Sequence, residues 1–343
     1  MQAMISEHTV KTDRHTTSYL AAGPKDGPLL IFVHGWPELS ISWRHQLPAL
    51  AALGFRCVAP DMRGYGRSSV PGRHEDYAQA EIVADMIELL DALGRGQAVW
   101  IGHDWGSPVV WNIASHHPDR TRAVASLCIP YGVLDNGLEA LITLVDRAVY
   151  PADEFPAGQW EYMRFYEENF ARATAGFEAN PYNSAKAIFR RGDPDGRGKP
   201  SRTAFVRRHN GWFGPDNAAP DVPRDDAVIS EGDLSVYAAA LQRNGFFGAD
   251  SYYMNHEANS AYARTAQNGG RLAMPVLFIA ARYDYTCEAI DSDLPKPQIA
   301  LCANLTTRVI DSGHWMAQEK PVELNAALSH WLATTVPDIW PLP

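Results

Sequence analysis

The sequence has only four cysteines in 343 residues, Cys57, Cys128, Cys287 and Cys302, and they stand far apart. That spacing is no disulfide framework, so a reducing compartment is expected. Apolar runs are short. LLIFV at 29–33 is strand-length, well below the roughly 20 residues of a membrane helix. The opening stretch MQAMISEHTVKTDRHTTS contains no apolar segment of signal-peptide kind, and a cytoplasmic location is expected. Basic residues are in the minority, 30 Lys and Arg against 40 Asp and Glu, and do not cluster, which argues against a nucleic-acid partner. The 12 histidines include no H-E-x-x-H, and His116-His117 has no ligand spacing, so no metal is expected. Gly64-Tyr65-Gly66 lacks the third glycine of a dinucleotide fingerprint and the helix that should follow it; no organic cofactor is expected. Apolar residues, by contrast, make up 46% of the chain and charged ones 20%, which excludes disorder. The length fits one large domain or two smaller ones.

Short apolar runs alternate with helical patterns, as in a mostly parallel sheet covered by helices on both faces. The expected strands are Leu29–His34, Arg56–Pro60, Ala98–His103, Arg122–Ile129, Pro275–Ala280 and Thr307–Ile310. They are continuously apolar rather than alternating, the pattern of strands buried on both sides. Helical spacing marks Tyr77–Leu93, Ser107–His117 and Pro321–Thr334. The alternation stops near Gly132 and resumes near Met274. Between them helical patterns run over Trp160–Arg172 and Gly232–Gly245. Gly192–Arg224 carries ten glycines and prolines in 33 residues and is expected to be mostly loop. The expected organisation is a core of residues 1–131 and 274–343, interrupted by a helical insertion at 132–273.

Gly102-His103-Asp104-Trp105-Gly106 sits directly between an expected strand and an expected helix, the setting of a nucleophile elbow. Serine usually occupies the centre; here it is Asp104. A carboxylate with an ordinary pKa near ~3.9 is ionised at neutral pH without help from a base. It is a weak nucleophile toward acyl groups and a competent one in displacement at saturated carbon. His34-Gly35-Trp36-Pro37 follows the strand whose next loop supplies one oxyanion-hole amide, and the residue after the nucleophile supplies the other. Trp36 and Trp105 are therefore the expected donors. Asp284 and His314 follow the late strands, giving the chain order nucleophile, acid, histidine of the α/β-hydrolase fold. Asp284 would fix the tautomer of His314, the base; Asp135 is the rival acid, and Asp291, Asp293 and Asp311 read as loop carboxylates.

The stretches HGWPELSISWRHQLPALAALGFRCVAPDMRGYGRSS, GHDWGSPVVW and DSGHWMAQEKP together resemble the soluble epoxide hydrolases of the α/β-hydrolase fold. Ser107 departs from the second glycine common at that place. The resemblance implies that the insertion is a cap over the site carrying two tyrosines that hold the epoxide oxygen. WEYMRFYEE places Tyr162 at the first position, and GFFGADSYYMN places Tyr253 at the second; Tyr166, Tyr252 and Tyr237 are the nearest alternatives. A phenol stays protonated at neutral pH and can donate to the oxygen of an opening ring. The implied reaction adds water to a small apolar epoxide, giving a vicinal diol through an ester on Asp104. His34, Trp36 and Trp105 are expected against the substrate, with an apolar pocket drawn from Trp160, Phe165, Trp212, Phe213 and Phe246. A haloalkane dehalogenase would use the same acids and histidine, with ring N–H donors from Trp36 or Trp105 for the halide. A receptor built on an idle hydrolase scaffold is a third reading, and homodimerisation stays open.

Overall fold

The computed structural model describes residues 4–341. Eight strands form one sheet: β1 (Ser6–Lys11), β2 (Thr16–Ala22), β3 (Leu29–Val33), β4 (Arg56–Pro60), β5 (Ala98–His103), β6 (Thr121–Leu127), β7 (Leu272–Ala281) and β8 (Cys302–Ile310). Their spatial order is β1-β2-β4-β3-β5-β6-β7-β8. The first two strands are antiparallel to their neighbours, and the six that follow run parallel. All six expected strands are present.

The antiparallel pair was not expected. β1 is a short, polar edge strand with largely exposed side chains, so no continuous apolar run announces it. The central strands behave differently. Every residue of β3 and β5 is buried, and each large aliphatic side chain withdrawn from water there contributes about 1.5–3 kcal/mol.

Helices cover the sheet at Gln79–Ala92, Gly106–His116 and Pro321–Thr335, within two residues of their expected bounds. Between β6 and β7 the described chain adds helices but no strand. One of them, Glu161–Glu178, breaks at Asn169, where the backbone leaves helical values. Gly192–Arg224 is largely turn and loop, with two short 3₁₀ turns at Pro194–Gly196 and Arg202–Phe205. All four cysteines are free and buried. Among the described residues no helix is long and apolar enough to cross a membrane.

Sheet register decides where the loops meet. Val33 of β3 pairs with Gly102 of β5, so His34–Trp36 and His103–Trp105 leave the sheet side by side. β7 and β8 pair through Ala281 and Ile310, bringing the segments toward Asp284 and His314 out at the same end. Ligand sites in parallel α/β sheets form at this carboxyl edge.

Candidate active site

Asp104 occupies the turn between β5 and the helix Gly106–His116 with φ near +50°, a left-handed conformation costing on the order of 1–3 kcal/mol for a non-glycine residue. Small neighbours make that turn fit. A Cβ on Gly102 would come within 2.5 Å of the Gly106 carbonyl oxygen, and one on Gly106 would run into the Val33 carbonyl. A Cβ on Gly35 would lie 2.5 Å from the Asp104 Cβ and 2.6 Å from the Trp105 nitrogen. The loop after β3 can therefore lie flat against the elbow. In that position the Trp36 amide donates to Asp104 Oδ1 at 2.6 Å. The Trp105 amide makes no such contact with the carboxylate among the described hydrogen bonds.

His314 Nε2 stands 3.4 Å from Asp104 Oδ2, and its Nδ1 is 2.6 Å from Asp284 Oδ2. Asp284 Oδ1 in turn accepts the amides of Thr286 at 3.2 Å and Cys287 at 3.1 Å. Burial works against charge on both partners, but each outweighs it in the other: Asp284 is held below its ordinary pKa, and His314 is raised well above its own by Asp284 and Asp104. The resting site thus holds an imidazolium between two carboxylates. Asp135, the rival acid, folds back on its own turn, accepting the amides of Gly132 and Val133, and burial pushes it up to about 6. Asp291, Asp293 and Asp311 pair with Arg197, Lys296 and Arg282.

A cavity of about 520 Å³ opens over Asp104 and is lined by Trp36, Tyr162, Tyr253, Asp284 and His314, among others. The rings of Tyr162 and Tyr253 stand 5.5 Å apart at 78°. Burial raises both phenols well above their ordinary pKa, so each keeps its proton. Neither hydroxyl has a protein partner among the described hydrogen bonds. The alternatives are committed elsewhere: Tyr166 donates to Asp250 at 3.2 Å, Tyr252 to the Arg63 carbonyl at 2.9 Å, and Tyr237 shares a 2.5 Å bond with Ser42.

Three expectations about the pocket wall do not match its lining. His34 is buried away from the cavity, its Nδ1 on the Gly35 carbonyl side and its Nε2 accepting the Met62 amide at 2.9 Å. Trp105 is buried beneath Tyr253, ring centroids 5.2 Å apart, and does not line the cavity either. Of the five aromatics expected around the substrate only Trp212 lines the cavity; Trp160, Phe165 and Phe246 are packed into the interior and Phe213 lines a neighbouring groove.

Two buried groups at the site were not anticipated. Glu38 pairs with His103 at 2.7 Å and also accepts the Gly35 amide, while the other His103 nitrogen sits 2.7 Å from the His314 carbonyl. Burial opposes charge on both, but the pairing lowers Glu38 and raises His103. Asp250, fully buried, accepts from the Trp36 indole at 2.8 Å, Thr174 at 3.0 Å and Tyr166 at 3.2 Å. Burial nevertheless pushes it up to about 7. Tyr166 stacks face to face on Tyr253, 4.5 Å between centroids, so Asp250 reaches both the oxyanion loop and the tyrosine pair. The adjacency of Glu38 to HGWP and of His103 to Asp104 was a usable signal for the first group. Asp250, 214 residues from Trp36, had none.

The α/β hydrolase fold family matches residues 28–321 of the chain. Epoxide hydrolase A of Mycobacterium tuberculosis is 34% identical over 332 residues, covering 95% of this chain and 97% of its own. The bifunctional epoxide hydrolase 2 of Sus scrofa is 33% identical over 90% of this chain, which spans only 52% of that protein's length. Among solved structures, an epoxide hydrolase from an endophytic Streptomyces superposes with a TM-score of 0.79 at 31% identity, covering 96% of this chain and 95% of its own. Epoxide hydrolase A from Mycobacterium thermoresistibile gives 0.77 at 31% identity, covering 96% and 99%. The chain belongs to the α/β hydrolase fold family, and its relatives there are epoxide hydrolases.

Proposed function

We propose that the protein hydrolyses epoxides to vicinal diols by two displacements, with residues 132–273 as the cap that carries the oxygen-holding tyrosines. The carrying observation is the pair of unpartnered, protonated phenols, Tyr162 and Tyr253, lining the same cavity as an ionised aspartate at an elbow. Asp104 attacks a ring carbon. The C–O bond breaks toward oxygen, which takes its proton through the tyrosine pair, and the imidazolium of His314 restores that proton. Asp104 is now a neutral ester, and His314 has become a neutral base still oriented by Asp284. It takes a proton from water as the water attacks the Asp104 carboxyl carbon, and the Trp36 amide supports the oxyanion. Collapse releases the diol and returns the carboxylate facing an imidazolium.

A haloalkane dehalogenase is the less favoured reading, because the Trp36 indole N–H already donates to buried Asp250 and is not free for a halide. Diol release from styrene oxide against halide release from a bromoalkane separates the two. A single turnover in heavy-oxygen water should label Asp104. Label confined to the diol would refute the ester. Asp104→Ala should abolish turnover and His314→Gln should let the ester accumulate to stoichiometry; full activity in either variant would refute the assigned roles.

A further inference from the structure

The outer end of the cavity is built differently from its floor. Arg190, Arg191, Lys199 and Arg202 line it, all four exposed, with Asp193 as the one carboxylate of that rim. Arg191 is neutralised by Asp225 at 2.9 Å. Arg190, Lys199 and Arg202 have no carboxylate partner among the described ion pairs, although the chain holds ten more acidic than basic residues, 40 against 30. Arg190 gives one N–H to the Pro223 carbonyl at 2.5 Å, and Arg202 makes no hydrogen bond among those described. Crowding by protein atoms and then the charge of Arg190 push the Arg202 guanidinium below its ordinary pKa, so the two cations work against each other with nothing between them.

The same two arginines line a second groove of about 670 Å³, together with Ala187 and Trp212, which also belong to the first cavity. That groove continues with Phe213, Ala218, Ala219, Pro220 and Val222, and Asp216 is its one acid. An apolar path therefore runs from Asp104 past Ile188 and Trp212 to a pair of unneutralised guanidinium groups. Guanidinium groups recognise carboxylate and phosphate oxygens through paired N–H donors.

We infer that the preferred substrates are epoxides bearing a carboxylate or phosphate at the end of an apolar spacer, with Arg190 and Arg202 seating the anion while the ring lies over Asp104. This rests on the epoxide hydrolase reading of the site. Both side chains are exposed, so their replacement should leave the fold intact.

The test compares kcat/KM for an ω-epoxyundecanoate, its methyl ester and the matching ω-epoxyalkyl phosphate, with styrene oxide as a neutral reference. A charge-assisted hydrogen bond predicts that at least one anionic substrate beats the ester by about tenfold or more at low salt, mainly through KM. The preference should shrink in Arg202→Gln and in Arg190→Gln, vanish in the double variant, and invert in Arg202→Glu. Preference for the carboxylate or for the phosphate assigns the anion. Equal turnover of ester and both anions, with styrene oxide hydrolysed, would overturn the inference and leave the activity standing; so would a preference untouched by the double variant. Turnover of none of the epoxides would overturn the activity itself and the inference with it.

Discussion

Replacing Asp250 by asparagine should flatten a pH dependence that the buried carboxyl imposes on folding. In the folded protein Asp250 titrates near 7 against an ordinary value of 3.8, chiefly because it is buried, with nearby Glu178 adding to the rise. The Trp36, Thr174 and Tyr166 donors pull the other way and lose. A raised acid binds its proton more tightly folded than unfolded, so its contribution to stability falls as pH climbs from about 4 to 7 and is level beyond. At about 1.36 kcal/mol per pH unit the whole shift is worth about 4 kcal/mol. Between pH 5 and pH 8 about 2.5 kcal/mol of it should appear. The asparagine side chain keeps an oxygen acceptor without the ionisation. Urea unfolding of both proteins at each pH, read as the difference between them, cancels the titrations they share. The stability of Asp250→Asn relative to the parent should rise by about 2.5 kcal/mol across that range. Parallel curves would refute the raised pKa and the account of the buried carboxyl built on it.

Three further outcomes follow from the site. Glu38→Gln leaves His103 buried without its counter-charge and should cost about 3–5 kcal/mol; the pair's contribution is complete between the ordinary values, pH 4.5 and 6.5, fading in acid as Glu38 protonates and in alkali as His103 loses its proton, so thermal unfolding should show the largest deficit inside that window. Gly35→Ala forces the oxyanion loop off the elbow and should lower kcat about a hundredfold with folding retained, the scale of a misplacement near 1 Å; near-normal kcat would show that the loop can yield. Tyr162→Phe and Tyr253→Phe should each slow ring opening in stopped-flow measurements while the double change removes it, and normal turnover of the double variant would disprove their role.

The parallel half of the sheet was legible because its strands are buried on both faces and so read as unbroken apolar runs. β1 escaped because an edge strand facing water carries polar residues that resemble a loop. The order of Asp104, Asp284 and His314 could be read because each sits just beyond a strand, where chain order and space coincide. His34 shares that position, yet its ring is taken by the Met62 amide, a choice of rotamer that spacing does not encode. Asp250 and the Arg190–Arg202 rim were invisible for a related reason: their meaning lies in partners gained, or lacking, across the fold.

The three donors converging on Asp250 also bear on traffic through the site. Trp36 belongs to the loop after β3, whereas Asp250, Tyr166 and Thr174 come from the segment between β6 and β7. Trp36 is further clasped by Phe177, Trp212 and Tyr253, with centroids 5.1–5.9 Å away. Swinging that segment aside would strip a buried carboxyl of a donor and expose an aromatic cluster. Substrate and diol therefore exchange through the standing opening past the arginine rim, a narrow gate whose width, rather than any hinge, sets how bulky a molecule the enzyme admits.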